Sequence, residues 1–289
     1  VAVVDSDGFA GAARKLGISP PAVTRAINEL EAHLGVSLLT RTTRAVRVTE
    51  PGVRYLADCQ LILAQLAEAE EAVSNALSAP RGGLIITAPS TFGARHITPI
   101  VTEYLDRYPD VIVSCWFLDR LVDLLGEGID VGVRIGELPD SSMTAIRVGL
   151  MPMVVCAAPS YLAHHGIPQT PDALETHVNI ASGGASSISE WCFIEHGKLR
   201  TFKLRPRLMT TGGDTAVSAA LSGFGLTNAL LYKVTDHLRD GRLQAVLGAF
   251  APPPLPVHIV HREGPYASKK ARAFIDLAVE RLRALLVSF

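Results

Sequence analysis

The chain is 289 residues long, 48% hydrophobic, 19% charged and only 6% aromatic, with a formal net charge of −1. So apolar a composition with so little net charge excludes an intrinsically disordered chain. No window approaches eighteen uninterrupted apolar residues, which argues against a membrane-spanning helix, and the length favours more than one domain.

The four cysteines, at positions 59, 115, 156 and 192, stand far apart and form no CxxC. That spacing fits neither a disulfide framework nor a zinc site, and it fits small apolar residues in a reducing cytoplasm. The N-terminus carries no charged-then-apolar secretory leader. Val1-Ala-Val-Val-Asp5 reads as the tail of a helix already under way, so the first helix is expected to be truncated. The near-neutral total conceals a segregation. Residues 14–54 hold seven cations (Arg14, Lys15, Arg25, Arg41, Arg44, Arg47, Arg54) against three acids (Glu29, Glu31, Glu50). Residues 55–79 hold Asp58, Glu68, Glu70 and Glu71 and no cation. A basic block beside an acidic helix suggests a polyanion-binding module whose neighbour stays out of the groove, with a solvated surface run as the alternative.

Phe9 to Leu16 has a helical pattern with Ala12, Ala13 and Leu16 on one face, and Gly17 can end it in the left-handed conformation. Ser19 suits an N-cap and Pro20 or Pro21 the first turn. The next helix runs to about Leu34 and is expected to bury Val23, Ile27, Leu30 and Leu34. Two short helices about a glycine turn describe a helix-turn-helix, whose second helix enters the major groove. Its open face offers Ser19, Pro20, Pro21, Thr24, Arg25 and Asn28. Arginine and asparagine make paired contacts to guanine and adenine edges, and threonine meets a thymine methyl or a phosphate. Val36 to Thr49 then reads as two short strands about a polar turn, a wing presenting Arg41, Thr43, Arg44 and Arg47 to phosphates or a narrow minor groove. A solvated hairpin is the plainer alternative.

The run Phe9-Ala-Gly-Ala-Ala-Arg-Lys-Leu-Gly-Ile-Ser-Pro-Pro-Ala-Val-Thr-Arg-Ala-Ile-Asn-Glu-Leu, its continuation through Leu34-Gly-Val-Ser-Leu-Leu-Thr-Arg-Thr-Thr-Arg44, and Val48-Thr-Glu-Pro-Gly52 resemble the winged helix-turn-helix of LysR-type transcriptional regulators. The resemblance extends over essentially the whole chain. Three positions depart from the family pattern: Pro20 replaces a base-reading glutamine, Ala10 a Ser or Thr, and Glu50-Pro51 a small residue and alanine. The first change removes a base contact, so operator preference does not carry over from glutamine-bearing relatives.

From Gly52 to Ser78, Cys59, Leu66 and Val73 recur at sevens, as do Leu56, Leu63 and Leu77, with Glu70 the polar exception. A two-stripe heptad is the seam of a coiled pair, against the alternative of a long helix packed on its own domain. The resemblance likewise implies a dimer-forming linker helix over 55–79. Ser78-Ala-Pro-Arg-Gly-Gly83 breaks it and reads as a hinge over 80–83.

Beyond the hinge, Leu84–Ala88, Val111–Phe117 and Ile129–Ile135 read as buried strands, with helical segments at Ile97–Tyr108 and Leu121–Glu127. This alternation predicts a parallel sheet with helices on both faces, and ligands beyond the strand ends. A second α/β set follows. It comprises strand Met153–Ala158, helix Ser160–His165, strands near 178–181, 191–196 and 199–204, and a helix from Asp214 to Ser222. Strands at Gly225–Leu231, Leu243–Leu247 and Val257–His261 and a helix from Ser268 to Leu286 complete it. The resemblance implies a two-lobed effector domain over 84–289 like that of periplasmic binding proteins, the chain crossing near Cys156 and returning near His258. Lobe one would hold 84–156 and 259–289, lobe two 157–258. The whole is therefore an α/β chain, with a winged helix-turn-helix over 1–54 and a linker helix before the two lobes.

Ser90 and Thr91, at a strand end before a helix, suit an anion or plain capping. Arg134, late in a strand, needs a ligand carboxylate or an internal acid such as Asp119 or Asp130. Asp214 is most simply a helix cap, and Ser182-Gly-Gly184 a loop at the lobe junction. By resemblance the effector-contacting positions fall on Ser90, Thr91, Asp119 and Thr211, with Gly225 and Thr227 on the far side. No GxSxG, GxxxxGK[ST], HExxH or CxxC occurs, so no catalytic or metal site and no cofactor is expected; the His164/His165 and His258/His261 pairs read as structural.

The reading is a ligand-responsive regulator binding an interrupted palindrome of double-stranded DNA as a homodimer or homotetramer. Its effector would be a small organic molecule, an anion among the candidates. RNA polymerase would be a further partner, no membrane is involved, and the site of action is the cytoplasm and, on DNA, the nucleoid. A rival reading makes the large module a carrier or enzyme with residues 1–80 as a protein-interaction arm; a ligand-independent repressor is a third.

Overall fold

The computed structural model describes residues 1–6, 8–41, 46–74, 79–120, 122–124, 126–139, 143–183, 189–262 and 268–289. The chain divides into two compact units, Val1–Leu77 and Ser78–Phe289. No helix among the described residues is long and apolar enough to cross a membrane.

The first unit comprises α1 (Ala2–Asp5), α2 (Phe9–Leu16), α3 (Pro20–Leu34), the antiparallel pair β1 (Leu39–Arg41) and β2 (Val46–Val48), and α4 (Glu50–Ser74). Gly17 ends α2 with φ 67°, the left-handed turn that the helix-turn-helix needs. Val3, Ala12, Ala13 and Val23 are buried together, with Phe9, Ile27, Leu39 and Val46 packed against them. Leu16 and Leu34 depart from expectation, at 54% and 37% exposed. Each is the last helical residue before a left-handed glycine, where the chain turns away from the core. Ser19 caps α3 through its carbonyl, which accepts from Ala22 N (3.0 Å) and Val23 N (3.2 Å), and not through its hydroxyl. Two successive prolines supply no N–H for that hydroxyl to take.

The start of α4 lies two residues before the expected Gly52. Thr49 Oγ1 donates to Ser37 O (2.7 Å) and accepts from Gly52 N (3.0 Å), which makes threonine the cap. A Cβ on Gly52 would stand 2.1 Å from Leu38 O, so only glycine lets α4 approach the chain entering β1. That chain is also tied from α3, because Glu31 Oε1 accepts from Leu38 N (2.7 Å) and Leu39 N (3.0 Å). The helix is continuous across residues 54 and 55, where the sequence divides reader from linker.

The second unit contains two five-stranded sheets. Sheet one has β3 (Gly82–Ala88), β4 (Val111–Phe117), β5 (Val131–Ile135), β6 (Met143–Met151) and β14 (Leu255–Arg262), in the order β4-β3-β5-β14-β6. Sheet two has β7 (Met153–Ala157), β8 (Asn179–Ser182), β11 (Leu208–Thr210), β12 (Leu226–Leu230) and β13 (Gln244–Val246), in the order β11-β8-β12-β7-β13. In each sheet one strand, β14 or β7, runs against the other four and pairs antiparallel on both its sides, which corrects the all-parallel expectation. The antiparallel strands are those that carry the chain between lobes. It crosses at Pro152, between β6 and β7, and returns between Val246 and Leu255, several residues before the expected Cys156 and His258. A hairpin of β9 (Ser189–Glu195) and β10 (Lys198–Leu204) lies outside both sheets.

The helices of this unit are α5 (Ser90–Phe92), α6 (Thr98–Arg107), α7 (Pro159–His165), α8 (Gly213–Leu221), α9 (Leu231–Arg239) and α10 (Lys269–Leu286), with a π-helical turn at Gly93–Ile97 joining α5 to α6. The core of lobe one sets Leu84, Ile86, Val131, Val133, Val257 and Ile259 against Phe274, Ala278 and Leu282 of α10. The expected helix at Leu121–Glu127 is a turn in the described residues, with Glu127 N bonded to Asp123 O at 2.9 Å; Leu121 and Leu125 lie outside them. Strand β6 and helix α9 had no sequence expectation. Polar and apolar residues mix along β6 without strict alternation, and α9 follows β12 with no intervening loop.

Candidate functional site

In the first unit, α3 turns Pro20, Pro21, Thr24, Arg25, Asn28, Glu29 and Ala32 toward a shallow open groove. The helical period puts these positions opposite Val23 and Ile27, so burial of the one set exposes the other. Arg25 and Asn28 are exposed, three residues apart on one face. Ser19 is exposed at the helix entrance. Arg47 is exposed on β2, whereas Thr43, Arg44 and the side chain of Arg41 lie outside the described residues.

The candidate pairing helix is more divided than its heptads suggest. Leu56 and Cys59 face their own unit and line an apolar recess of about 70 Å³ with Val3, Ile27, Leu30 and Leu38. Further along, Leu63 and Leu66 are 51% and 54% exposed, with Ile62 beside them at 61%. The side chain of Val73 and all of Leu77 lie outside the described residues.

In the second unit a cleft of about 240 Å³ opens where strand ends of both lobes meet, bordered by Pro89, Asp119, Thr211, Asn228, Tyr232 and Lys233 among others. Ser90 stands at its edge as a structural anchor: its N–H donates to Asp119 Oδ1 (2.9 Å) and its hydroxyl to Phe117 O (3.2 Å). The second carboxylate oxygen of Asp119 remains close to Gly212, 3.6 Å from where a Cβ there would sit.

Thr91, on the first lobe, donates its hydroxyl to Asp214 Oδ2 on the second. Lys233 Nζ donates to Thr91 Oγ1 (3.1 Å) and to Asp214 Oδ1 (2.9 Å), so three side chains link the two lobes. Arg95 adds a second link, to Asp236 Oδ2 at 3.3 Å and Tyr232 O at 3.4 Å. Burial opposes ionisation of Asp214, but hydrogen bonds from Thr91 and Lys233 and the charges of Lys233 and Arg95 outweigh it and hold the carboxyl below its ordinary range. Tyr232 is 1% exposed, and burial, then the charges of Asp119 and Asp214, push its phenol upward, so it stays a neutral donor.

Of the seven expected effector residues only Asp119 and Thr211 line this cleft; Ser90 and Thr91 lie behind it, bonded to Asp119 and Lys233, and the other three lie elsewhere. Arg134 points to the turn before β5, donating to Val122 O (3.2 Å); burial lowers its pKa and Glu127 opposes that. Gly225 is required by packing, since a Cβ there would stand 2.4 Å from Val178 O. Thr227 is fully buried within sheet two, its hydroxyl 3.4 Å from Ile180 O. Sequence reasoning missed Tyr232, Lys233 and Asn228, and gave Asp214 a capping role only. Gly213-Asp214 before a helix was visible, but Lys233 sits on a helix that the sequence pattern did not separate from the strand before it.

A family model for the bacterial regulatory helix-turn-helix protein, lysR family, matches residues 1–53, and one for the LysR substrate binding domain matches residues 78–283. The chain is 33% identical over 286 residues to an HTH-type transcriptional regulator of Xanthomonas campestris pv. campestris, covering 98% of this chain and 83% of the other. It is 30% identical over 283 residues to the HTH-type transcriptional regulator CrgA of Neisseria meningitidis, covering 98% and 94%. The solved structure of CrgA matches with a TM-score of 0.64 at 29% identity, over 97% of this chain and 96% of that one. The full-length structure of the Vibrio cholerae virulence activator AphB matches with a TM-score of 0.66 at 26% identity, over 96% and 95%.

Proposed function

This chain belongs to the LysR family of DNA-binding transcriptional regulators with a C-terminal effector-binding domain, and we propose that its effector is a small organic molecule that competes for Lys233 in the cleft between the lobes. The observation that carries this reading is the unequal pairing there. The side chain of Lys233 is 8% exposed and its charge must keep a counterion, whereas the side chain of Asp214 is 57% exposed and returns to water at little cost. A ligand carboxylate or other acceptor oxygen can therefore take the place of Asp214. The exchange breaks the Thr91–Asp214 bond between lobes, which gives the ligand a differential affinity for two lobe arrangements.

On the DNA side, Pro20, Pro21, Thr24, Arg25 and Asn28 meet base edges and Ser19, Arg41, Thr43 and Arg44 the backbone. The operator is an interrupted palindrome matched by a homodimer, or a pair of dimers, joined through the exposed Leu63–Leu66 part of α4. The protein acts in the cytoplasm, on the nucleoid when bound, with RNA polymerase as a further partner of the family type.

A gel shift with the DNA flanking the protein's own gene tests the first half, and no retardation at low salt would sink it. A thermal-shift screen of small organic acids tests the second, since a ligand at 100 times its Kd adds about 2.7 kcal/mol. Hits should alter the gel shift and lose their effect in Lys233→Met.

A further inference from the structure

Met153 and Asn228 stand in the wall of the cleft. Both residues also border a second cavity of about 220 Å³ inside lobe two, lined by Val155, Phe193, Val246, Leu247 and Pro252 among others. These walls are apolar, and Leu247 shapes one of them with a left-handed backbone (φ 58°), which a leucine adopts only where its surroundings impose it. Asn228 pairs with Val155 across β12 and β7, and its Oδ1 is buried with no hydrogen-bond partner among the described residues. Tyr232 also borders the cleft, and its hydroxyl is likewise buried with no partner among the described residues. Such atoms are costly to bury unless something supplies the missing bond. Met153, between the two spaces, is an unbranched side chain that turns aside easily. Together the two spaces reach the ~300–1,000 Å³ scale of small-molecule sites.

Resting on the effector reading above, we propose that the ligand is an elongated amphipathic molecule occupying both cavities. Its oxygen-bearing head meets Lys233 and Tyr232, a hydrogen-bond donor at its waist meets Asn228 Oδ1, and an apolar tail fills the cavity beyond Met153. The order of chemistry along the two spaces, cation and phenol, then amide oxygen, then hydrocarbon, sets the order of groups on the ligand.

N-acylglycines carry a carboxylate, an amide N–H and a tail in that order, so N-acetyl-, N-butanoyl- and N-hexanoylglycine are the probes, titrated calorimetrically into the full chain. The Kd should tighten about fourfold per added CH2. Ala251→Trp, at the exposed mouth of the second cavity, should abolish that dependence on chain length. Cys192 lines the same cavity. Peptide-resolved alkylation should show it protected by the hexanoyl probe and not by the acetyl one, a readout that needs no variant. Binding with no gain along the series, or equal protection by both probes, overturns the tail cavity and leaves the cleft reading standing. Failure of every probe overturns the proposal, whereas the effector reading falls only if the wider acid screen fails too.

Discussion

Lys233 Nζ lies 2.9 Å from Asp214 Oδ1, yet the lysine side chain is 8% exposed and the aspartate 57%. The pair is one-sided: the cation depends on the acid far more than the acid on the cation. Asp214→Asn should therefore cost about 1–3 kcal/mol of stability, the price of a buried group left short of its partner. Lys233→Met removes the buried charge, keeps most of the volume and should cost less than about 1 kcal/mol. Denaturant unfolding of both variants at neutral pH decides it, and the reverse ranking would contradict the one-sided pairing.

Glu103 of α6 joins α10 through Arg281, with Oε1 at 2.7 Å from Nη2 and Oε2 at 2.9 Å from Nε. The hydrogen bond from Arg281 dominates over burial and holds the carboxyl at about 2, against 4.5 for an ordinary glutamate. A depressed carboxylate stabilises above its unfolded pKa and stops doing so as pH falls through the folded one. The melting temperature should therefore drop between pH 4.5 and about 2, and Glu103→Gln should flatten that limb. Identical acid limbs in the two proteins would remove this ion pair from the account.

Gly52 allows α4 to pass Leu38 O, which a Cβ would meet at 2.1 Å. Gly52→Ala should destabilise the first unit by about 1–3 kcal/mol, as overpacking does, and weaken operator binding in proportion. Circular dichroism melts of the full chain check the first effect and gel shifts the second. An unchanged melt would mean that β1 and α4 separate freely.

Arg25 and the wing arginines should fail differently. Arg25→Ala should relax base preference, at about 1–3 kcal/mol of discrimination. Arg41→Ala or Arg44→Ala should weaken specific and random DNA alike and reduce the salt slope by about one counterion. Titrations against both DNAs at several salt concentrations separate the roles, and equal losses on both DNAs for Arg25→Ala would move it to the backbone.

The reader module was legible in the sequence because its signals are local. Gly17, Val23 and the polar stripe from Pro20 to Asn28 act within one or two turns, and helical periodicity alone decides which face is open. Most strands of the large unit were legible for the same reason, as short apolar runs between turns. Leu16 and Leu34 were misjudged at helix ends, where periodicity continues but the chain turns away from the core. The heptads of α4 stand in the sequence, yet periodicity does not say against what a stripe packs, and Leu56 and Cys59 face their own unit.

The cleft was a matter of tertiary structure. Thr91, Asp214 and Lys233 are more than a hundred residues apart at the extremes, and only the crossing at Pro152 and the return before Leu255 bring their lobes together. Arg134 and Thr227 had suitable chemistry but face the turn before β5 and the interior of sheet two, because side-chain direction follows strand register, which long-range pairing sets. The sequence by itself determined the modules, the segregated charge and which face of α3 is open. Which side chains share the cleft between the lobes was decided by sheet order and lobe crossing, because contacts between distant strands leave no periodicity in the chain that makes them.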